Sequence, residues 1–197
     1  MSVIRPSALI VLALALAACG SQSKPADEAE PTTANTTTPA GCKPPAGMAT
    51  SPQVSPTPGD ETMYLTNVTA HTDHCGDRIT FDFKKSGAPG PGFKVSYEPA
   101  ASAKLEDGSG KPIEIEGSAF LVVRLAPAMT AEISGEEVKP TYTGPRRIRP
   151  EGFSFVLNVV KTGDFESVVT WVIGLEEKRP FGATASKTQL VVEIPES

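Results

Sequence analysis

From Met63 onward, apolar residues recur in short runs at every second position. In RITFDF (78–83) Ile79, Phe81 and Phe83 fall on one face of an extended chain, and in FKVSYE (93–98) Phe93, Val95 and Tyr97 do the same. Period two is the strand period, because successive side chains of an extended backbone point to opposite sides. The same pattern predicts strands in MYLTNVTAH (63–71), PIEIEG (112–117), AFLVVRLAP (119–127), FSFVLNVVKTG (153–163), SVVTWVIGL (167–175) and TQLVVEI (188–194). β-Branched and aromatic residues dominate these runs, and Gly or Pro separates them. No segment holds a 3.6-residue period over four turns, and ten prolines between Glu61 and Ser197 deny long helices. The expected fold is all-β, an antiparallel β-sandwich or barrel, with Trp171 in the core beside Val169 and Ile173.

Before residue 61 the pattern is different. Arg5 precedes the apolar run ALIVLALALAA (8–18), and small residues follow. That is the layout of a secretory signal peptide over residues 1–18, too short for a permanent membrane span. Leu16-Ala17-Ala18-Cys19 resembles the bacterial lipobox, which implies a diacylglycerol thioether on Cys19 and an extracytoplasmic protein anchored to the cell membrane. Residues 19–60 carry eight prolines, many Ser, Thr and Ala, and no hydrophobic period. Such a composition buries too little apolar surface to offset chain entropy, so it reads as a disordered tether. The expected domain then spans residues 61–197, one core's worth of chain.

Charge and cysteine usage narrow the class. The chain carries 18 Lys+Arg against 23 Asp+Glu, and only 6% of its residues are aromatic. An acidic balance and few rings argue against a nucleic-acid partner. With Cys19 lipidated, Cys42 and Cys75 remain as an even pair in an oxidising compartment, where a disulfide is expected and two free thiols are the alternative.

Candidate chemistry is sparse. His71, Asp73, His74, Cys75 and Asp77 form the densest group of metal-ligating types, but zinc sites draw on two chain segments and a second is not visible in the sequence. An exposed turn is the favoured account, and neither metal nor cofactor is expected. The two histidines lack a nucleophile elbow, the glycines of 87–92 lack the lysine of a phosphate loop, and Glu106–Gly110 is too short for an EF-hand. No catalytic residue is assigned. The stretch TGPRRIRP (143–150) stands out by setting Arg146, Arg147 and Arg149 between prolines on an acidic chain. Guanidinium forks suit carboxylates and phosphates, and Tyr142 beside them offers a ring for a sugar face. The competing account is a solvated turn paired with nearby acids such as Glu136, Glu137 and Glu151.

Several of these stretches also carry a family resemblance. Asp77-Arg78-Ile79-Thr80-Phe81-Asp82-Phe83, the block 163–175 with Arg179-Pro180-Phe181 after it, and Tyr142–Arg147 together resemble the AMIN-like domain of actinobacterial secreted proteins and lipoproteins. The resemblance covers about residues 62–195. The closing strand, Lys187–Ile194, lacks the Pro-Pro-Arg usual there, so no role of that arginine carries over. The related AMIN domains are small β-sandwiches that accompany wall amidases and pilus secretins and help localise them by contact with peptidoglycan. The resemblance therefore implies a non-catalytic envelope module that binds peptidoglycan or an associated anionic glycan. A scaffold for envelope protein partners is the alternative, and a hydrolase comes third.

Overall fold

The computed structural model describes residues 41–43, 47–55, 61–84 and 90–196. The expected lipidation site Cys19, the signal peptide and the first half of the expected tether lie outside the described residues. One sheet has six strands in the order β1 (Gln53–Val54), β4 (Phe93–Glu98), β5 (Ala119–Leu125), β11 (Val168–Leu175), β10 (Val156–Phe165) and β9 (Arg147–Ile148). The other has five, in the order β12 (Gly182–Ala185), β13 (Gln189–Pro195), β3 (Gly76–Phe83), β2 (Met63–Asp73) and β6 (Ala128–Met129). A separate ribbon pairs β7 (Ala131–Ser134) with β8 (Glu137–Pro140). Pairing is antiparallel throughout the two sheets except between β2 and β6. The all-β sandwich expected from the period-two pattern is the fold observed.

The two sheets close on one apolar core. Ile79 and Phe81 from β3 meet Leu121 and Val123 from β5, and Val169, Trp171 and Ile173 from β11, all essentially without solvent contact. Trp171 sits at the centre, edge-on to Phe81 across the sandwich (centroids 6.1 Å) and to Tyr142 (5.6 Å). Burying apolar area at ~25 cal/mol per Å² drives this closure.

The six-stranded sheet is buried on its outer face as well. Phe120, Val122, Val160 and Val172 point away from the main core and form a second cluster with Ala103 and Ile115. The cover is the chain after β4, comprising the single helical turn α1 (Ala100–Ala103) and the loop that runs to Ser118. Strands covered on both faces read as near-continuous apolar runs, which explains why AFLVV and VVTWVIGL alternate so poorly.

Two sequence expectations are corrected. PIEIEG is not a strand: apart from a lone bridge between Leu105 and Pro112, this stretch makes no ladder. Its alternation is real, because Ile113 and Ile115 turn toward the outer face of the sheet, but no strand lies beside it. The folded region also begins earlier than residue 61. β1 pairs with β4, Ala49 bridges Phe181, and the Gln53 side-chain amide donates to Phe181 O (2.7 Å) and accepts from Ala183 N–H (2.9 Å). Tether-like composition does not forbid docking of a few residues that satisfy open sheet edges. A disulfide joins Cys42 to Cys75, as the cysteine pairing predicts, and holds this segment to the β2–β3 turn.

Asp77 ties the sheets together. Its buried carboxylate on β3 accepts from the Thr72 hydroxyl (2.7 Å) and from three backbone N–H groups at the entry to β10: Ser154 (3.2 Å), Phe155 (2.8 Å) and Val156 (2.9 Å).

Candidate functional site

Strand alternation decides where TGPRRIRP points. β9 pairs with the edge of β10, Ile148 opposite Val159 and Arg147 opposite Val160. Ile148 therefore packs into the main core, while Arg147 and Arg149 emerge on the outer face beside the 104–118 cover. Arg146 folds back along the same side: its Nε donates to Lys161 O (3.0 Å), and its own carbonyl accepts from Lys161 N–H (2.8 Å).

Each arginine then meets the cover. Arg146 Nη2 lies 2.6 Å from Glu106 Oε1, and the Ser109 hydroxyl also donates to Glu106 (2.6 Å). That hydroxyl first, and Arg146 second, hold the Glu106 carboxyl below its ordinary range. Arg149 lies 3.4 Å from Glu116, with both side chains largely exposed, a pairing that contributes ~0–1 kcal/mol. Arg147 donates through Nη2 to Glu114 O (2.5 Å), while its Nη1 is shielded from solvent and has no acceptor among the described residues. The acids that meet these arginines are Glu106 and Glu116, not the sequence neighbours Glu136, Glu137 and Glu151. Proximity across the sheet face, and not along the chain, selects the partner.

Tyr142 is taken out of the site. It is 8% exposed, its ring stands edge-on against Trp171 at 88°, and Lys161 Nζ lies 5.7 Å from its centroid. Its hydroxyl donates to Pro145 O (2.8 Å), and burial pushes its pKa up. The ring is a core side chain that braces the turn leading to Arg146, so it offers no open face to a sugar.

Two clefts flank the Arg146–Glu106 pair. One, of about 440 Å³, has Arg147, Arg146, Lys111 and Glu106 on its walls and Pro112, Ile113 and Val160 as its apolar lining. Lys111 makes no ion pair among the described residues. The other, of about 390 Å³, continues past Arg146 along the end of β10 to Phe165. The Pro/Ile floor and the second cleft were not legible in the sequence, because they arise where the cover crosses the sheet.

The histidine cluster resolves differently. Cys42 supplies the second segment that the sequence did not show, so that Cys42, His74 and Cys75 bring their ligand atoms within 4.8 Å of one another. Both sulfurs are committed to the disulfide, and a disulfide sulfur is not the thiolate a metal requires. His71 lies 3.8 Å from Asp73, whose carboxyl is held low chiefly by the Cys75 N–H. Asp77 faces the interior and belongs to the fold.

No curated protein and no solved structure shows a significant match to the chain. The AMIN-like domain model matches residues 63–196, from the first residue of β2 to just past β13, and so takes in both sheets, the cover and the arginine strand. The chain belongs to the AMIN-like domain family.

Proposed function

We propose that this domain is a non-catalytic binding module of the cell envelope that holds an anionic wall polymer, peptidoglycan or an associated glycan, in the cleft beside β9. Membership in the AMIN-like family supports a cell-wall-associated role. The observation that carries the site is the pair of cations in the cleft wall: Arg147 and Lys111 both line it, and neither has a carboxylate partner among the described residues. A carboxylate or phosphate oxygen entering there gains two charged donors, while Arg146 and Arg149 are already matched by Glu106 and Glu116. The arginine strand is then divided in its labour, with Arg147 as the ligand contact and its neighbours fixing β9 against the cover. Lipidation of Cys19 keeps the domain at the membrane in this reading, and the chain up to Cys42 gives it reach toward the wall.

The test is retention of the full-length chain, in detergent, on purified protein-free cell wall. Arg147→Ser should weaken retention about tenfold, the loss of one charged hydrogen bond, and Arg149→Ser should weaken it little. Absence of wall retention by the unaltered chain at moderate salt would refute the proposal. A protein-scaffold reading has one observation in its favour: the β7–β8 ribbon stands outside both sheets and exposes the cross-strand pair Ile133 and Val138, 57% and 61% accessible.

A further inference from the structure

We infer that Phe165 is a stacking platform for a sugar ring, so that the polymer is bound by its glycan as well as by its charge; this rests on the wall-binding reading above. Of the twelve Phe, Tyr and Trp residues, Phe165 alone is exposed, at 56%. The chain otherwise keeps its rings buried or half-buried, and this one open phenyl stands at the rim of a polar cleft, where its face can meet a ligand.

The ring is seated from beneath. Gly108 lies against it: a methyl placed on Gly108 would stand 3.7 Å from the ring Cγ and 3.9 Å from each Cδ, which puts the glycine under one face. Gly163 lets Asp107 close in beside it, since a Cβ there would come within 2.6 Å of the Asp107 Cβ and Cγ. The β10–β11 connection is a two-residue loop whose Glu166 (φ 51°) and Ser167 (φ 59°) both adopt the left-handed region that such loops usually reserve for Asn and Gly. Phe165 is thus held on a rigid hairpin end with its other face toward solvent.

The groups around it match the edges of a saccharide. Asp107, Asp164, Arg146 and Lys161 line the cleft that ends at the ring. Asp164 is oriented by the Thr130 hydroxyl and by Lys161 Nζ at 3.7 Å. A pyranose turns a row of weakly positive C–H groups toward the negative face of a phenyl ring, and its hydroxyl and acetamido edges exchange hydrogen bonds with carboxylates and cations. Arg146 and Glu106 belong to both clefts, so a glycan seated on Phe165 can direct a pendant carboxylate toward Arg147 and Lys111. The occupant is a carboxylate-bearing, amino-sugar polysaccharide.

The test uses the full-length chain in detergent with two probes, purified cell wall and a neutral tetrasaccharide of β-1,4-linked N-acetylglucosamine. Phe165→Ala should weaken wall binding about tenfold, ~1.4 kcal/mol, and abolish saturation transfer from ring protons to the tetrasaccharide, while Phe165→Trp restores both. Unchanged melting of both variants separates binding from folding, as expected for a half-open side chain. Wall binding by Phe165→Ala equal to that of the unaltered chain would overturn the platform and leave the wall-binding reading standing. Tetrasaccharide binding that needs Phe165, with no wall retention, would uphold the platform and overturn that reading. If the unaltered chain binds neither probe, both fall.

Discussion

Replacing Asp77 with asparagine exchanges one oxygen for one nitrogen, yet it should remove a large share of the domain's stability. The carboxylate serves four donors: Thr72 Oγ1, Ser154 N, Phe155 N and Val156 N. Asparagine has a single carbonyl oxygen. Turned toward Phe155 and Val156, whose N–H groups both address Oδ2, it keeps those two bonds but strips them of charge, at about 1 kcal/mol apiece. Its amide nitrogen then faces the Ser154 N–H, donor against donor, and that partly buried group loses its acceptor for roughly another 1 kcal/mol. The Thr72 hydroxyl can rotate to accept instead, so it adds little. The expected cost is about 3 kcal/mol, a substantial part of the ~5–15 kcal/mol that holds a typical domain. For a domain of this length that lowers the melting temperature by roughly 6–12 °C. Asp77→Ala, which leaves all the donors without an acceptor, should cost ~4–5 kcal/mol. Thermal melts by circular dichroism, with urea titrations followed by the fluorescence of buried Trp171, measure both. A drop below about 2 °C for Asp77→Asn would show that water replaces the carboxylate at no cost, and would refute its role as the tie between the sheets.

Reducing the Cys42–Cys75 disulfide, which closes a loop 33 residues apart in sequence, should destabilise the domain by roughly 3–4 kcal/mol in the chain-entropy model, a fall in melting temperature of about 6–16 °C. A reduced and alkylated sample that melts with the oxidised one would contradict this. Because Glu106 is held below the ordinary glutamate range, its interactions are fully present above that range and are lost as pH falls through its lowered folded-state value. Carboxyl NMR should find Glu106 titrating low, with Ser109→Ala moving it back further than Arg146→Ala; the opposite order would show that the ion pair, and not the hydroxyl, sets its charge.

What could be read along the chain was whatever depends on local alternation. FKVSYE coincides with β4, and the Ile79/Phe81/Phe83 face is the buried face of β3. Trp171 lies where its strand pattern puts it. Strands of two residues, such as β1 and β9, are too short for any period to show. Ile113 and Ile115 alternate without belonging to a ladder, since alternation records which side is buried and says nothing of a neighbouring strand. At the candidate site the arginines were visible as a local cluster, whereas Glu106, Lys111 and Phe165 come from other segments and had no signal linking them. Tyr142 was misplaced because sequence adjacency to a basic run does not report burial. Asp77 was legible only as a member of a ligand-rich turn. Its backbone partners lie 77–79 residues away, and main-chain donors leave no mark on residue type.

The bond between Cys42 and Cys75 also governs how the domain bears load. A pull from the amino-terminal side enters the described chain at Cys42 and passes through sulfur to the β2–β3 turn, bypassing every residue between. That turn is stitched to the end of β13 by the Glu196 N–H on Cys75 O and by the pairing of Gly76 with Pro195. Tension therefore arrives where β2, β3 and β13 meet, strands joined by eight register pairs between β2 and β3 and seven between β3 and β13. It does not reach β1, which two backbone pairings would let peel away one at a time. In the proposed role, between a membrane anchor and a bound polymer, the disulfide would carry the load past β1 and into the middle of the five-stranded sheet.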